Sequence, residues 1–161
     1  PTILDVKEIN RILNGIYSNF NVVENAEISI EANPDNLTKD KIKELSENFN
    51  RISIGVQSFF DEDLELMNRS HDSSQAKNSI ELTKKYFDNI SIDLIYGIPG
   101  LTDHKWRKNI KTAKNYNLPH ISAYALTVEP NTILSKLIEK GKIDNINDET
   151  LMRQNEIIVI E

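Results

Sequence analysis

The 161-residue chain contains no cysteine. Disulfide bonds and thiolate metal ligands are therefore excluded within these residues. The chain also has no run of the roughly 18 apolar residues that a membrane-spanning helix needs, and its first residues do not resemble a signal peptide. From these absences we expect a cytoplasmic location. The chain starts at Pro1 and ends inside an amphipathic segment, so we expect it to be part of a longer protein whose cysteines lie elsewhere.

An excess of basic residues is also missing. The chain has 19 Lys and Arg against 25 Asp and Glu, which gives a net charge of -6. Lysines that cluster locally alternate with apolar positions at helical spacing, a pattern typical of a solvated helix face. A nucleic-acid partner is therefore not expected, since binding to a phosphate backbone relies on basic side chains.

Four short segments that begin with Ile-Ser divide the chain into repeating units. They are "ISIE" (28–31), "ISIG" (52–55), "ISID" (90–93) and "ISAY" (121–124). Each begins a run rich in β-branched residues, and a helix-like stretch follows each run. This spacing predicts four parallel strands, because parallel strands need a helical crossover between them.

Helical patterns fill the intervals between these strands. We predict helices over 5–20, 38–49, 61–68, 74–86, 103–116 and 133–140, and a last helix from about residue 148. Asp5, Thr38 and either Ser73 or Ser74 are the expected N-caps. In the first helix one stripe of apolar residues is expected to be buried: Ile9, Ile12, Leu13, Ile16, Tyr17 and Phe20.

Alternation along the strands gives each of them one apolar and one small or polar face. In the third strand, for example, Ile90, Ile92 and Leu94 lie opposite Ser91 and Asp93. A doubly wound sheet would cover both faces with helices, whereas the inner face of a barrel looks into a lumen. The sequence therefore predicts an α/β fold, a partial (β/α) TIM-like barrel with four βα units, parallel strands and outer helices.

Polar residues lie towards the carboxyl ends of the strands, where (β/α) barrels carry their chemistry. Buried carboxylates are rare unless paired or bound, so Glu31 and Asp93 are candidate ligand contacts; the alternative is a hydrogen bond to neighbouring Ser or Asn. Arg69 could reach the same rim, or form a surface salt bridge. The "YGIPG" turn (96–100) is either a structural device or a place where a ligand approaches the backbone closely.

The histidines do not predict a metal site. They fall in different units and share no ligand-like spacing: His71, His104 and His120. His120 is placed at the start of its strand, at the rim opposite the candidate site. Two alternatives stay open: a non-catalytic ligand-binding module, and a barrel-type metal-dependent hydrolase that uses Glu31, Asp93, Glu129 and a histidine.

An ordered set of motifs carries a family resemblance. "EANPDNLT", "RISIGVQSF", "NRSHD", "IDLIYGIPG" and "PHISAYALTVEPNT" together resemble the oxygen-independent coproporphyrinogen III oxidase-like branch of the radical SAM family. The last motif is most similar to the heme chaperone subgroup. The resemblance covers nearly all of residues 27–132. One departure is Leu101, where the family commonly has Gln.

The resemblance implies that residues 1–161 are the central part of a radical SAM barrel. The first strands, with the three-cysteine loop that holds a [4Fe-4S] cluster, would precede Pro1. A helical region in which chaperone members bind heme would follow Glu161. Under this interpretation the whole protein is an enzyme or a heme chaperone, and these residues alone are expected to bind no cluster and to be inactive.

The resemblance also implies a set of contacts to S-adenosylmethionine: Glu31, Gln57, Arg69 and Asp93, with Thr127 where a further contact would fall. Arg69 can pair with the ligand's carboxylate, and the other side chains can bond its amine and ribose hydroxyls. The implied function lies in porphyrin metabolism, either oxidative decarboxylation of coproporphyrinogen III or heme delivery. Implied partners are a porphyrin or heme and an electron donor protein.

Overall fold

The computed structural model describes residues 1–161 and is built around one sheet of four parallel strands. The strands are β1 (Ser29–Ala32), β2 (Arg51–Gln57), β3 (Ile90–Tyr96) and β4 (His120–Ala125), and they hydrogen-bond in the order in which they occur in the chain. A doubly wound sheet would reverse this order at a switch point. The prediction of an α/β, partial (β/α) barrel with four βα units is therefore confirmed.

Seven α-helices occupy the predicted intervals: α1 (Val6–Asn19), α2 (Lys39–Ser46), α3 (Asp61–Leu66), α4 (Ser73–Thr83), α5 (Asp103–Asn115), α6 (Ile133–Glu139) and α7 (Asp148–Ile160). Asp5 and Thr38 are N-caps, as predicted. The predicted cap of α4 was wrong. Asp72 caps that helix, because its side chain accepts from the N–H of Gln75 while the Gln75 side chain accepts from the N–H of Asp72, a reciprocal capping box.

The apolar face of the sheet packs against the helices. Its fully buried residues Ile52, Ile54, Ile92 and Leu94 form one core with helix residues such as Trp106. The opposite face is accessible, as a barrel lumen would be. Glu31 and Tyr124 are exposed there, while Ser53, Asp93 and Ser122 are half-buried.

The predicted buried stripe of α1 was largely wrong. Of its members, Ile9 is buried and Leu13 partly so, whereas Ile12 is 57% exposed and Phe20 70% exposed. Ile16 and Tyr17 are exposed as well. The neighbours of α1 contact its first half, where Asn48, two residues after α2, donates to Asn10, and none of them covers the rest of the stripe.

None of the helices combines the length and the apolar character that crossing a membrane would require.

Candidate functional site

The carboxyl end of β2 is distorted by a bulge. Ile54 pairs with Ile92, but Gln57 pairs with Leu94, so β2 has one residue more than β3 over this interval. Gln57 has a φ of 66°, and the Ser58 N–H donates across it to the Val56 carbonyl at 2.8 Å. This i to i+2 bond together with positive φ describes a γ-turn of the rare, strained kind.

The strain at Gln57 is unusual for its residue type. The other three non-glycine residues with positive φ are all asparagines, which adopt this conformation readily: Asn68, Asn117 and Asn131. A side chain that persists in a strained backbone conformation is typical of a functional site, where the surrounding structure holds it in place. The structure thus singles out Gln57 independently of any sequence motif.

A cavity of about 300 Å³, here called the rim cavity, opens at the carboxyl ends of β1, β2 and β3. All four residues predicted to contact a ligand line it: Glu31, Gln57, Arg69 and Asp93. They come from three different strands and from the segment after α3, and they are separated by up to 62 residues in sequence. The fold therefore brings the predicted residues together around one space.

The two carboxylates of the rim cavity are only partly satisfied by protein groups. Asp93 is half-buried, and its Oδ1 accepts from the Ser53 hydroxyl at 3.0 Å, while its Oδ2 has no partner. Glu31 is exposed rather than buried and makes no side-chain hydrogen bond. The alternative of an internal hydrogen bond is met for one oxygen of Asp93, and the remaining carboxylate oxygens can accept from a ligand.

Arg69 is a half-buried cation that makes no ion pair, so the alternative of a surface salt bridge is wrong. Burial lowers the pKa of Arg69, and the negative charge of Asp35 opposes that shift. The Asp35 carboxylate itself accepts from the Ser70 hydroxyl at 2.7 Å. The guanidinium donors of Arg69 are therefore available to an anion inside the cavity.

Gly55 makes room for the Gln57 amide. A Cβ atom at position 55 would lie 2.7 Å from Nε2 of Gln57, so any larger residue there would displace that side chain. Gln57 is 8% exposed, and its amide occupies the space that a side chain at position 55 would fill. The contribution of Gly55 was not predicted, although the residue lies two positions before Gln57 on the same strand face, where glycine often marks a close approach.

Thr127 lines a neighbouring cavity of about 480 Å³ rather than the rim cavity. Arg69 lines both cavities, and Ile95 and Leu126 give the second one an apolar wall. Glu129 also lies in this second cavity, away from Glu31 and Asp93.

The residues of the hydrolase alternative are not assembled into one site. His120 lies exposed at the first residue of β4, far along the strand from the carboxyl rim, as the sequence indicated. Within residues 1–161, no group of three or more His, Asp or Glu side chains is placed to hold a metal ion.

The "YGIPG" turn packs against α7. Gly97 has a φ of 73°, and a Cβ there would lie 2.2 Å from Leu151 of α7. Gln154 of α7 clasps the turn: its Oε1 accepts from the Gly97 N–H and its Nε2 donates to the Leu101 carbonyl, both at 2.8 Å. The close approach that Gly97 permits is thus with α7, while residues 97–101 also line a separate cavity of about 500 Å³. Gln154 was not predicted, although it precedes the buried Ile157 by one helical turn.

The chain matches the family model of the radical SAM superfamily over residues 1–128. It is 40% identical over 134 residues to the heme chaperone HemW of Buchnera aphidicola subsp. Acyrthosiphon pisum, which covers 83% of this chain and 36% of that protein. It is 36% identical over 146 residues to the heme chaperone HemW of Bacillus subtilis, covering 89% of this chain and 38% of that protein. The chain thus spans little more than a third of the length of these curated relatives.

Solved structures show the same relationship. The chain is similar to coproporphyrinogen III oxidase (HemN) from Escherichia coli, a radical SAM enzyme, with a TM-score of 0.84 and 27% identity over 99% of this chain and 37% of that one. The radical S-adenosylmethionine methyltransferase TsrM from Kitasatospora setae matches with a TM-score of 0.64 and 14% identity, covering 84% of this chain and 27% of that one. The second similarity shows a shared fold only.

Proposed function

The chain belongs to the radical SAM superfamily, and from that premise we propose that its rim cavity binds S-adenosylmethionine. The observation that carries the proposal is the convergence of Glu31, Gln57, Arg69 and Asp93 on one cavity. These are the side chains that the resemblance implied. The strain at Gln57 and the unpaired charge of Arg69 support the same proposal without reference to any relative.

The charges of the cavity fit this ligand. S-adenosylmethionine carries a carboxylate, an ammonium group, a sulfonium and a ribose diol. Arg69 would bond the carboxylate through a charge-assisted fork. Glu31 and Asp93 would accept hydrogen bonds from the ammonium group or the diol, and Gln57 can both donate and accept. The cavity of about 300 Å³ lies at the lower end of the size range of ligand sites, and its neighbour, which shares Arg69, extends it.

The cavity has no cysteine, so a [4Fe-4S] cluster does not fit the residues of this chain. We propose that thiolates from another part of the protein hold it, as the resemblance implies. When bound, the cluster would supply the electron for reductive cleavage of S-adenosylmethionine, with reducing power from an electron donor protein. The residues of this chain would bind and orient the substrate of that step.

For the whole protein we propose a role in porphyrin or heme metabolism. Relatives at 40% and 36% identity are heme chaperones, and a structural relative at 27% identity is a coproporphyrinogen III oxidase. The higher identity favours heme binding and delivery over oxidative decarboxylation. Because the chain spans little more than a third of these relatives, both activities are proposed for the whole protein and not for these residues alone.

Arg69 offers the sharpest test of S-adenosylmethionine binding. Arg69→Gln in the full-length protein removes the charge and keeps much of the side-chain volume. We expect about 10- to 100-fold weaker binding by calorimetry, because a hydrogen bond to a charged group contributes roughly 1.5–3 kcal/mol. Arg107→Gln is the matched control, since Arg107 is an exposed α5 residue that pairs with Glu161. Equal affinity of the two variants would contradict the proposal.

Heme spectra separate the two proposed activities. A shift of the Soret band when heme is added to the full-length protein, without turnover of coproporphyrinogen III, supports delivery. Turnover without retention of heme rejects delivery and assigns the oxidase activity.

A further inference from the structure

A buried polar cluster lies beneath the loop that follows Gln57. It consists of Ser58, Asp63, Lys105 and Asn109, and we call it the loop cluster. Ser58 and Asn109 are fully buried and Asp63 is 3% exposed. Lys105 closes the cluster at the surface, where its Nζ donates to Asp63 Oδ1 at 3.2 Å. None of these residues lines the rim cavity.

Asn109 connects α5 to Ser58 and Phe59, the two residues that follow the strained turn. Its Oδ1 accepts from the Phe59 N–H at 2.8 Å, and its Nδ2 donates to the Ser58 hydroxyl oxygen at 3.0 Å. The backbone donor at Phe59 fixes which way the amide points, because only its oxygen can accept there. Ser58 in turn donates to Asp63 Oδ2 at 2.7 Å. The hydrogen bonds of the Asn109 side chain therefore all go to the two residues after Gln57.

The turn at Gln57 needs such support. Its γ-turn is strained, and the carbonyl that it uses, that of Val56, also accepts from Nε2 of the buried His71 at 3.1 Å. His71 thus fixes the residue before Gln57, and Asn109 fixes the two residues after it. A strained conformation persists only where its surroundings over-determine it. These contacts hold the backbone on both sides, so the Gln57 side chain is aimed over Gly55 into the rim cavity.

We propose that Asn109 is a positioning residue for Gln57. It does not touch the ligand; it holds the loop after β2 so that Gln57 stays in the left-handed conformation and presents its amide to S-adenosylmethionine. This inference rests on the proposed function of the rim cavity. Asn109 lies on the buried stripe of α5, three residues after Trp106, which is the position of an apolar core residue in an ordinary amphipathic helix.

The test is a double-mutant cycle in the full-length, cluster-loaded protein, with S-adenosylmethionine affinity and thermal stability measured for each variant. Asn109→Leu keeps the number of side-chain heavy atoms and the branch at Cγ, and removes both hydrogen bonds to the loop. We expect it to weaken binding about tenfold, close to the loss from Gln57→Ala. In the Gln57→Ala background, Asn109→Leu should lower the melting temperature by the same amount as before but cause no further loss of affinity.

Gln154→Leu is the matched control, because it also removes two hydrogen bonds from a buried amide to a loop, but to the loop after β3. It should lower stability and leave affinity within about twofold of the parent. If Asn109→Leu does not fold, Asn109→Asp replaces it. That variant keeps the oxygen facing Phe59, loses the donor to Ser58 and adds a negative charge beside the Ser58–Asp63 pair, and its loss of affinity should also vanish in the Gln57→Ala background.

Each outcome decides the matter. An unchanged affinity in the Asn109 variants, or an equal loss in both backgrounds, would make Asn109 a purely structural residue and overturn the inference. A parent protein that does not bind S-adenosylmethionine would overturn the proposed function, and this inference with it. The two failures are distinguished by the parent's own titration.

Discussion

The left-handed backbone at Gln57 makes a prediction about stability that needs no cofactor. Gln57→Ala and Gln57→Gly both remove the side-chain amide, but only glycine relieves the strain at a φ of 66°. A non-glycine residue in this region costs roughly 1–2 kcal/mol. At a position without such strain, glycine lowers the stability by about 0.5–1 kcal/mol relative to alanine, because it gives the unfolded chain more conformational entropy. Gln57→Gly should therefore be more stable than Gln57→Ala by about 0.5–1 kcal/mol.

Ser53 supplies the matched control because it lies in the extended part of the same strand. There Ser53→Gly should be less stable than Ser53→Ala by about 0.5–1 kcal/mol, so the order of the two variants reverses between the positions. Differential scanning calorimetry reads the difference as about 1–4 °C in melting temperature. A glycine variant that is the less stable one at position 57 as well as at 53 would refute the assignment of strain, and with it the structural reason for regarding Gln57 as functional.

Three further predictions concern other parts of the chain. Asp93→Ala in the full-length protein should weaken S-adenosylmethionine binding about tenfold and leave iron and sulfide content unchanged; equal calorimetric affinity would remove Asp93 from the site. Gly97→Ala should destabilise the chain by about 1–3 kcal/mol more than Gly100→Ala in urea unfolding, since both have positive φ but only the first meets α7; equal losses would contradict the close packing. The Ser73 N–H, which donates to Asp61 at 2.7 Å, lowers the pKa of that carboxyl below its usual value of about 3.9. Its stabilisation is present above about pH 4 and is lost as the pH falls through the folded pKa, so Asp61→Asn should destabilise α4 most near pH 7 and progressively less as the pH falls below about 4; a pH-independent difference in urea midpoints would argue against it.

The parts of the fold that local chemistry determines could be predicted from the sequence. Asp5 and Thr38 cap their helices because a short side-chain oxygen satisfies a helical N–H wherever it stands before an apolar-periodic segment. The strands could be predicted equally well, because short runs of β-branched residues with alternating polarity favour a half-buried strand. Glu31 and Asp93 were predicted as ligand contacts because polar residues lie towards the ends of the strands. The barrel prediction placed them at the same rim.

What the sequence could not give depends on contacts between distant segments. The stripe of α1 has the right period for burial, but periodicity does not say whether a partner is there to cover it, and Phe20 is 70% exposed. The bulge that places Gln57 is a property of the pairing between β2 and β3, not of either strand alone. Asn109 and Gln154 look like solvent-facing polar residues by type. Only their position on the buried faces of α5 and α7 indicated otherwise, and their roles depend on backbone groups about 50 residues away.

The order of the strands leaves the sheet with two open edges, and open edges favour self-association. β1 and β4 are the edge strands of the sheet, and each has one edge along which backbone donors and acceptors have no strand beside them. A closed barrel has no such edges, whereas an edge of an open sheet can pair with an extended peptide, which adds as a further strand. Residues 1–161 should therefore self-associate, so that the apparent molar mass from light scattering rises with protein concentration. A short extended peptide that pairs with one edge should reduce this self-association.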